Sequence, residues 1–489
     1  MNWEKSTLII LSIFLSVTSF CAYGQEPLLF GSEQQDFGHS IKLYKGAYYI
    51  VGTTRKDAQS ALDYYVLKIR SNASVEKKYV YGFPKHDVAN QIIVDDDGFY
   101  ILGSAYDHGF PNVDMHLVKL KTNGDKDWEQ YYGTEFQDQG MNMIRTKDSG
   151  FAMIGFSNSR TDFGDMYIVK TDNKGNLEWQ NFFGPSYVDY GFSLIENQAE
   201  ELILAGTENG FYNPTQTDFL THDADILLVK TNKTGEQVWY KTFGGNGHDW
   251  AKDIITSTDG GYLVCGSTQS FGEGSFDVFL MKINEEGEQV WIKTYGGQEF
   301  EYGEKLVIGT DGNIYISATS ASFSNNGKPD HYIIKTDING ELIWSKTFGS
   351  NESDYSTGIV ATPDSGVVFT GWTNVAELGK TDIVLYKLSK DGNTQLISSI
   401  LPTDSATSLI VYPNPAFQQF IVEPVTANNT ELSFSLFTLK GEKILEKPIQ
   451  ANTKNTIQLY VQDGTYIYRV EREGKLIQTG KQVIHKYSR

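Results

Sequence analysis

Few residues in this chain have the types and spacing that chemistry needs. The eight histidines, at 39, 86, 108, 116, 222, 248, 331 and 485, include no His-Glu-x-x-His pair able to grip zinc. No Gly-x-Ser-x-Gly turn presents a nucleophile, and no glycine-rich loop ends in the Gly-Lys-Ser/Thr that cradles phosphate. Two cysteines, Cys21 and Cys265, cannot build a thiolate cluster, and Cys265, inside Tyr262-Leu263-Val264-Cys265-Gly266, reads as a small buried hydrophobe. Asp95-Asp96-Asp97-Gly98 lacks the alternating ligands and downstream Glu of a calcium loop and reads as a solvated turn. The sequence therefore nominates no catalytic residue, no metal ligand and no cofactor.

The acids that do recur are regular. One stands five residues after the glycine of each of seven aromatic-Gly pairs, at Asp36, Asp87, Asp138, Asp189, Asp249, Glu301 and Asp354. A binding site normally breaks a repeat, so these acids are expected to cap tight connections by accepting backbone N–H bonds. What does break the repeat is the stretch Glu208 to Asp223, about eight residues longer than its counterparts. Its Phe211, Tyr212, Phe219 and His222 form the candidate ligand loop, since exposed aromatics among polar neighbours suit sugar or peptide contact.

The elements that must position these residues follow from the same repeat. A second landmark, Asp followed five residues later by Lys across an apolar run, occurs at Asp63, Asp114, Asp165, Asp225, Asp277, Asp330 and Asp382, spaced by 51, 51, 60, 52, 53 and 52. Each unit holds four strand-length runs separated by turn residues, as at 251–257, 262–267, 277–283 and 288–295. Four-stranded units at this period read as blades, and seven of them predict an all-β, seven-bladed β-propeller, because stacking around an axis buries both faces of every sheet. Trp128, Trp179, Trp239, Trp291 and Trp344, on fourth strands, are expected to fill wedges between blades. The glycines at 52, 103, 155, 206, 266 and 371 are expected to permit close backbone packing. The leading run Pro27 to Phe30 is expected to complete the last blade as its fourth strand and latch the ring, with Thr394 to Ile400 from the end of the repeats as the competing closure.

Length and charge set the frame. The 489 residues carry 41 basic and 61 acidic side chains, a net of -20, which argues against nucleic acid as a partner. Residues 1–24 join a short start containing Lys5 to an apolar run and the small-x-small signature Ala22-Tyr23-Gly24, and read as a secretory signal peptide. No later stretch is long and apolar enough for a transmembrane helix, so none is expected in the mature chain. The propeller is assigned to 25–400 and a small, polar linker to 401–408. Residues 409–489 invert the charge balance, with ten basic against seven acidic side chains, and alternate short strands over about 80 residues, which predicts a small C-terminal β-sandwich.

Here the motifs become specific. Val411-Tyr412-Pro413-Asn414-Pro415, Leu436 to Lys443, Gly464 to Val470 and Thr479 to Ile484 resemble, in order, the four motifs of type A C-terminal sorting domains carried by cargo of the Bacteroidota type IX secretion system. The preceding units resemble the secreted bacterial propeller repeats often joined to such domains. The resemblance implies export to the periplasm, handling by the type IX machinery and a secreted or outer-membrane surface location. It also implies that Pro413, Asn414, Pro415, Gly441, Gly464, Tyr466, Gly480 and Lys481 carry the sorting signal. The resulting expectation is a non-enzymatic binding module that recognises glycan or protein. The alternative is a propeller-fold polysaccharide hydrolase or lyase.

Overall fold

The computed structural model describes residues 27–484 apart from 56–60, 71–72, 83–84, 107–112, 159–163, 185–187, 209–222, 325, 375–379, 396–407, 413–418, 426–430, 439–441, 451–452, 454, 459–463 and 473–474. Every element among the described residues is a β-strand. Six antiparallel sheets of four sequential strands, the first spanning Asp36–Tyr44, Ala47–Arg55, Leu62–Arg70 and Val75–Tyr81, are followed by a seventh sheet of mixed origin. The first strands of successive sheets touch one another, and the first strand of the seventh, Asp354–Ala361, touches Asp36–Tyr44. The ring is closed, with seven blades around an axis.

Closure combines both competing strands. The third strand of blade seven, Asp382–Leu388, pairs along its first half with Leu28–Phe30 and along its second half with Thr394–Gln395. The fourth position is thus shared, three residues from before the first blade and two from after the last. Phe30 is buried with Ile41, Ile383 and Leu385, so the leading strand also carries core contacts across the seam. Thr357 Oγ1 donates to the Gly38 carbonyl at 2.7 Å, joining residues 319 positions apart.

The recurrent spacing of the tryptophans has a concrete cause. Each sits beneath the turn between third and fourth strands of the next blade. A Cβ placed on Gly175, Gly235, Gly287, Gly340 or Gly392 would lie within about 3 Å of Trp128, Trp179, Trp239, Trp291 or Trp344 respectively. These glycines have positive φ, +78° at Gly287, so both conformation and proximity require them. In blade one the corresponding aromatic is Tyr79, under Gly124.

The C-terminal segment forms a three-stranded sheet, Ser408–Tyr412, Gln419–Val425 and Asn455–Gln458, and a four-stranded sheet ordered Lys443–Gln450, Glu431–Phe437, Gly464–Arg472, Lys475–Ile484. Val422 and Ile457 from the first meet Leu432, Phe434, Leu436, Tyr468 and Val470 from the second in one buried cluster, the arrangement of a small β-sandwich.

Candidate functional site

The first strand of every blade carries a β-bulge at the same place. The extra residue lies three positions after the recurrent acid: His39, Asn90, Met141, Phe192, Lys252, Glu304 and Thr357. A bulge re-aims its side chain, here toward the axis. The glycines paired opposite the bulge in the second strands make it feasible, since a Cβ on Gly52, Gly155 or Gly266 would fall within 2 Å of the carbonyl oxygen of Phe37, Gln139 or Trp250.

One residue further on, side chains link blade to blade. Ser40 Oγ donates to Gln91 Oε1, Gln91 Nε2 to Asn142 Oδ1 at 2.8 Å, Asn142 Nδ2 to Ser193 Oγ at 3.1 Å, and Ser193 Oγ to Asp253 Oδ1 at 2.6 Å. From the other side Lys305 Nζ approaches Asp253 Oδ1 at 3.3 Å, and the Leu306 amide donates to Oδ2 at 3.1 Å. The donors all run toward one carboxylate. Blade seven has Gly358 at this level and contributes no side chain.

The bulge residues divide the ring into a stitched part, blades seven, one and two, and an unstitched part, blades three to six, where Met141 of blade three has no donor to offer. His39 Nδ1 donates to Ala89 O at 2.6 Å, Asn90 Nδ2 to Gly140 O at 2.7 Å and Thr357 to Gly38 O, so blades seven, one and two are stitched to their successors. In blades four, five and six the residues are Phe192, Lys252 and Glu304, which make no such bond and instead line a cavity of about 320 Å³ with Tyr190, Thr207, Ala224, Trp250 and Tyr302. Trp250, Phe276, Phe300 and Tyr302 form an aromatic cluster with ring centroids 4.7 Å (Trp250 to Phe276), 5.5 Å (Phe276 to Tyr302) and 4.9 Å (Phe300 to Tyr302) apart. The Lys252 ammonium lies 4.1 Å from the Phe192 ring centre. Burial raises the Glu304 carboxyl above the usual carboxylate range, against the pull of Lys252 and Lys305.

The candidates from sequence fare differently. Phe211, Tyr212, Phe219 and His222 lie outside the described residues, as do Pro413, Asn414, Pro415 and Gly441. The residues flanking that loop, Thr207 and Ala224, line the cavity. Tyr466 is buried in the sandwich core, Gly464 is exposed at the start of its strand, and Gly480 and Lys481 pair with Tyr468 and Ile467. The recurrent acids accept backbone bonds, as at Thr134 N to Asp138 (2.6 Å), Gly297 N to Glu301 (2.8 Å) and Ser350 N to Asp354 (2.7 Å). Among the described residues no group of three potential ligands is placed to hold a metal ion. The axial residues Phe192, Trp250, Lys252, Tyr302 and Glu304 were missed by sequence reasoning, though aligning the seven units on their acids sets Phe192, Lys252 and Glu304 in an unrepeated column and Trp250 and Tyr302 in a mostly aromatic one.

The fold and the tail together define an exported β-propeller. Residues 410–486 match the secretion system C-terminal sorting domain, and this chain carries that domain. Its presence marks the protein as type IX cargo, secreted or displayed at the cell surface. A stretch of 170 residues is 22% identical to the regulatory protein FlaEY of Caulobacter vibrioides, covering 30% of this chain and 18% of that protein, so the chain spans a small part of the curated relative it matches. Similar solved structures include the WD40 domain of Neurospora crassa Pan2, at 11% identity over 62% of this chain and 83% of that one, TM-score 0.38. The β-propeller domain of the Trilobed protease from Pyrococcus furiosus is 11% identical over 77% of this chain and 99% of that one, TM-score 0.42. Among the described residues no helix is long and apolar enough to cross a membrane.

Proposed function

We propose that this protein is a binding module whose axial cavity takes a saccharide unit outside the cell. The observation that carries the reading is the unstitched part of the ring, where Tyr190, Phe192, Trp250 and Tyr302 surround a concave space beside Lys252 and Glu304. A concavity of about 320 Å³ suits a small group, because sites for small ligands begin near 300 Å³, whereas protein partners bury broad surfaces of roughly 800 Å² per side. Export begins with removal of residues 1–24 and passage through the periplasm of a Bacteroidota cell, and the C-terminal domain then engages the type IX translocon. Two experiments test this. A glycan array probed with the full chain should show binding that Trp250→Ala and Tyr302→Ala abolish, and loss of the glycan signal in neither variant would reject the site. Deleting residues 409–489 should trap the propeller in the periplasm, and normal extracellular levels would reject the sorting role.

A second reading, a polysaccharide hydrolase or lyase, is favoured by one observation: Glu304, with its raised carboxyl, lies near Lys252 in the same cavity. Turnover of a bound glycan that Glu304→Gln abolishes would establish it.

A further inference from the structure

We propose that the unit taken by the axial cavity is a uronic acid of an acidic polysaccharide. This rests on the glycan reading above and narrows it to one chemical class. The argument begins with cations. Three lysines stand on first strands, Lys252 three residues after its recurrent acid, Lys305 four after and Lys42 six after, and Lys42 lies near enough to feel the charges of Lys305 and Asp253. At the position six after the acid the other blades carry Ile93, Ile144, Ile195, Ile255, Val307 and Val360, so Lys42 replaces an aliphatic residue. Lys305 is held by Asp253. Lys42 and Lys252 make no hydrogen bond or ion pair among the described residues. Lys42 also senses Lys305, since burial and then that charge push its pKa down, against the pull of Asp253.

These cations sit in a chain whose net charge is -20. Low-dielectric walls focus their field into the channel, which draws an anion to a place where the rest of the surface would repel it. A neutral sugar stacked on Trp250 and Tyr302 would desolvate the Lys252 ammonium and leave it only the Phe192 face and the nearby Glu304 charge, a cost that a hydrogen-bonded ligand carboxylate lowers. Glu304 fits the same occupant. Its raised carboxyl takes up a proton as the second carboxylate arrives, turning a repulsion into an O–H donor to the ligand. The pyranose ring then lies on the aromatic faces with its acid group toward Lys252. An acidic peptide would offer the same charge, but its aliphatic acid side chains have no flat ring face to lie against Trp250 and Tyr302.

The test is calorimetric titration of the full chain at pH 7.5 with trimers of galacturonate, glucuronate, mannuronate and guluronate, with their neutral hexose counterparts, and with triglutamate. At least one uronate trimer should bind ten-fold or more tighter than its neutral counterpart and than triglutamate. Lys252→Gln should weaken that binding about ten-fold and strengthen neutral-sugar binding, because it removes the ammonium that a neutral ring must desolvate, and Lys252→Arg should restore the uronate preference. Glu304→Gln should bind the uronate at least as tightly as the parent and abolish the proton uptake seen when buffers of different ionisation enthalpy are compared. Equal or tighter binding of the neutral sugars, still abolished by Trp250→Ala, would overturn the uronate assignment and leave the glycan reading standing. A preference for triglutamate would also overturn it. Absence of binding to every sugar would overturn both.

Discussion

Asp253 is the place where the polar belt ends, and replacing it tests the claim that the belt holds blades four, five and six together. Its carboxylate accepts from the Ser193 hydroxyl at 2.6 Å, the Leu306 amide at 3.1 Å and the Lys305 ammonium at 3.3 Å, and its side chain is only 10% exposed. Asp253→Ala leaves a buried amide and a hydroxyl unsatisfied, at about 1–3 kcal/mol for such groups. It also strands Lys305, for which loss of a buried partner costs about 3–5 kcal/mol. Lys305 remains 26% exposed to the channel, so its share falls well below that range. A total of about 4 kcal/mol is expected, and about 2 kcal/mol for Asp253→Asn, which keeps an acceptor and removes the charge. Urea unfolding followed by tryptophan fluorescence measures both. The double variant Asp253→Asn with Lys305→Met should be destabilised by less than the two single changes added together, because each single change strands the other's charge. A loss under 0.5 kcal/mol for Asp253→Ala, or strict additivity in the cycle, would refute the reasoning.

Asp330 lies beside Asp354, and burial followed by that neighbouring charge pushes its carboxyl up to about 6. The folded value exceeds the unfolded one of roughly 4, so its contribution to stability is full below pH 4 and is lost as the pH rises through 6; Asp330→Asn should therefore gain about 2 kcal/mol on the parent between pH 4 and 7.5, and a difference independent of pH would contradict this. Phe30→Ala removes the buried anchor of the leading strand and should cost about 3 kcal/mol, with faster amide exchange in 382–388, and unchanged exchange there would show that Thr394–Gln395 closes the ring alone. Gly287→Ala, at φ +78° and with its Cβ 2.9 Å from Trp239, should cost more than Gly312→Ala, at φ +77° with no atom within 4 Å, because only the first adds a clash to the backbone strain; equal losses in thermal melts would detach the tryptophans from the joint between blades.

The blade count was legible because burial against neighbours imposes one solution per unit: the Asp-to-Lys strand, the aromatic-Gly pair and the tryptophan under the next turn recur wherever that solution recurs. The sandwich was legible for a related reason, since Leu432, Phe434, Leu436 and Tyr466, Tyr468, Val470 alternate inward along two strands. The shared closing strand was not, because Pro27 to Phe30 and Thr394 to Ile400 both read as extended chain and only register on Asp382–Leu388 shows that each covers half of it. The axial cavity was hidden for a different reason. A bulge shifts the inward face by one residue, so the two-residue period that marks a strand's buried face gives no sign that Lys252 and Glu304 turn to the axis.

The stitched and unstitched parts of the ring stand in a trade between stability and binding. Asn90 shows what a bulge side chain can do for the fold, reaching the Gly140 carbonyl of the next blade at 2.7 Å. Phe192 occupies the equivalent place in blade four, where it makes no such bond and supplies the ring under the Lys252 ammonium. Phe192→Asn should extend the stitching toward the equivalent carbonyl of Ala251 and gain about 1 kcal/mol, the usual net worth of one such bond. The same change removes an aromatic wall and the platform that holds Lys252, so glycan binding should fall ten-fold or more. Stability and affinity would then move in opposite directions on one substitution, as expected where a functional site departs from the local rule that the other repeats obey. A variant that gained stability and kept its full affinity would show that the open half of the ring serves no ligand.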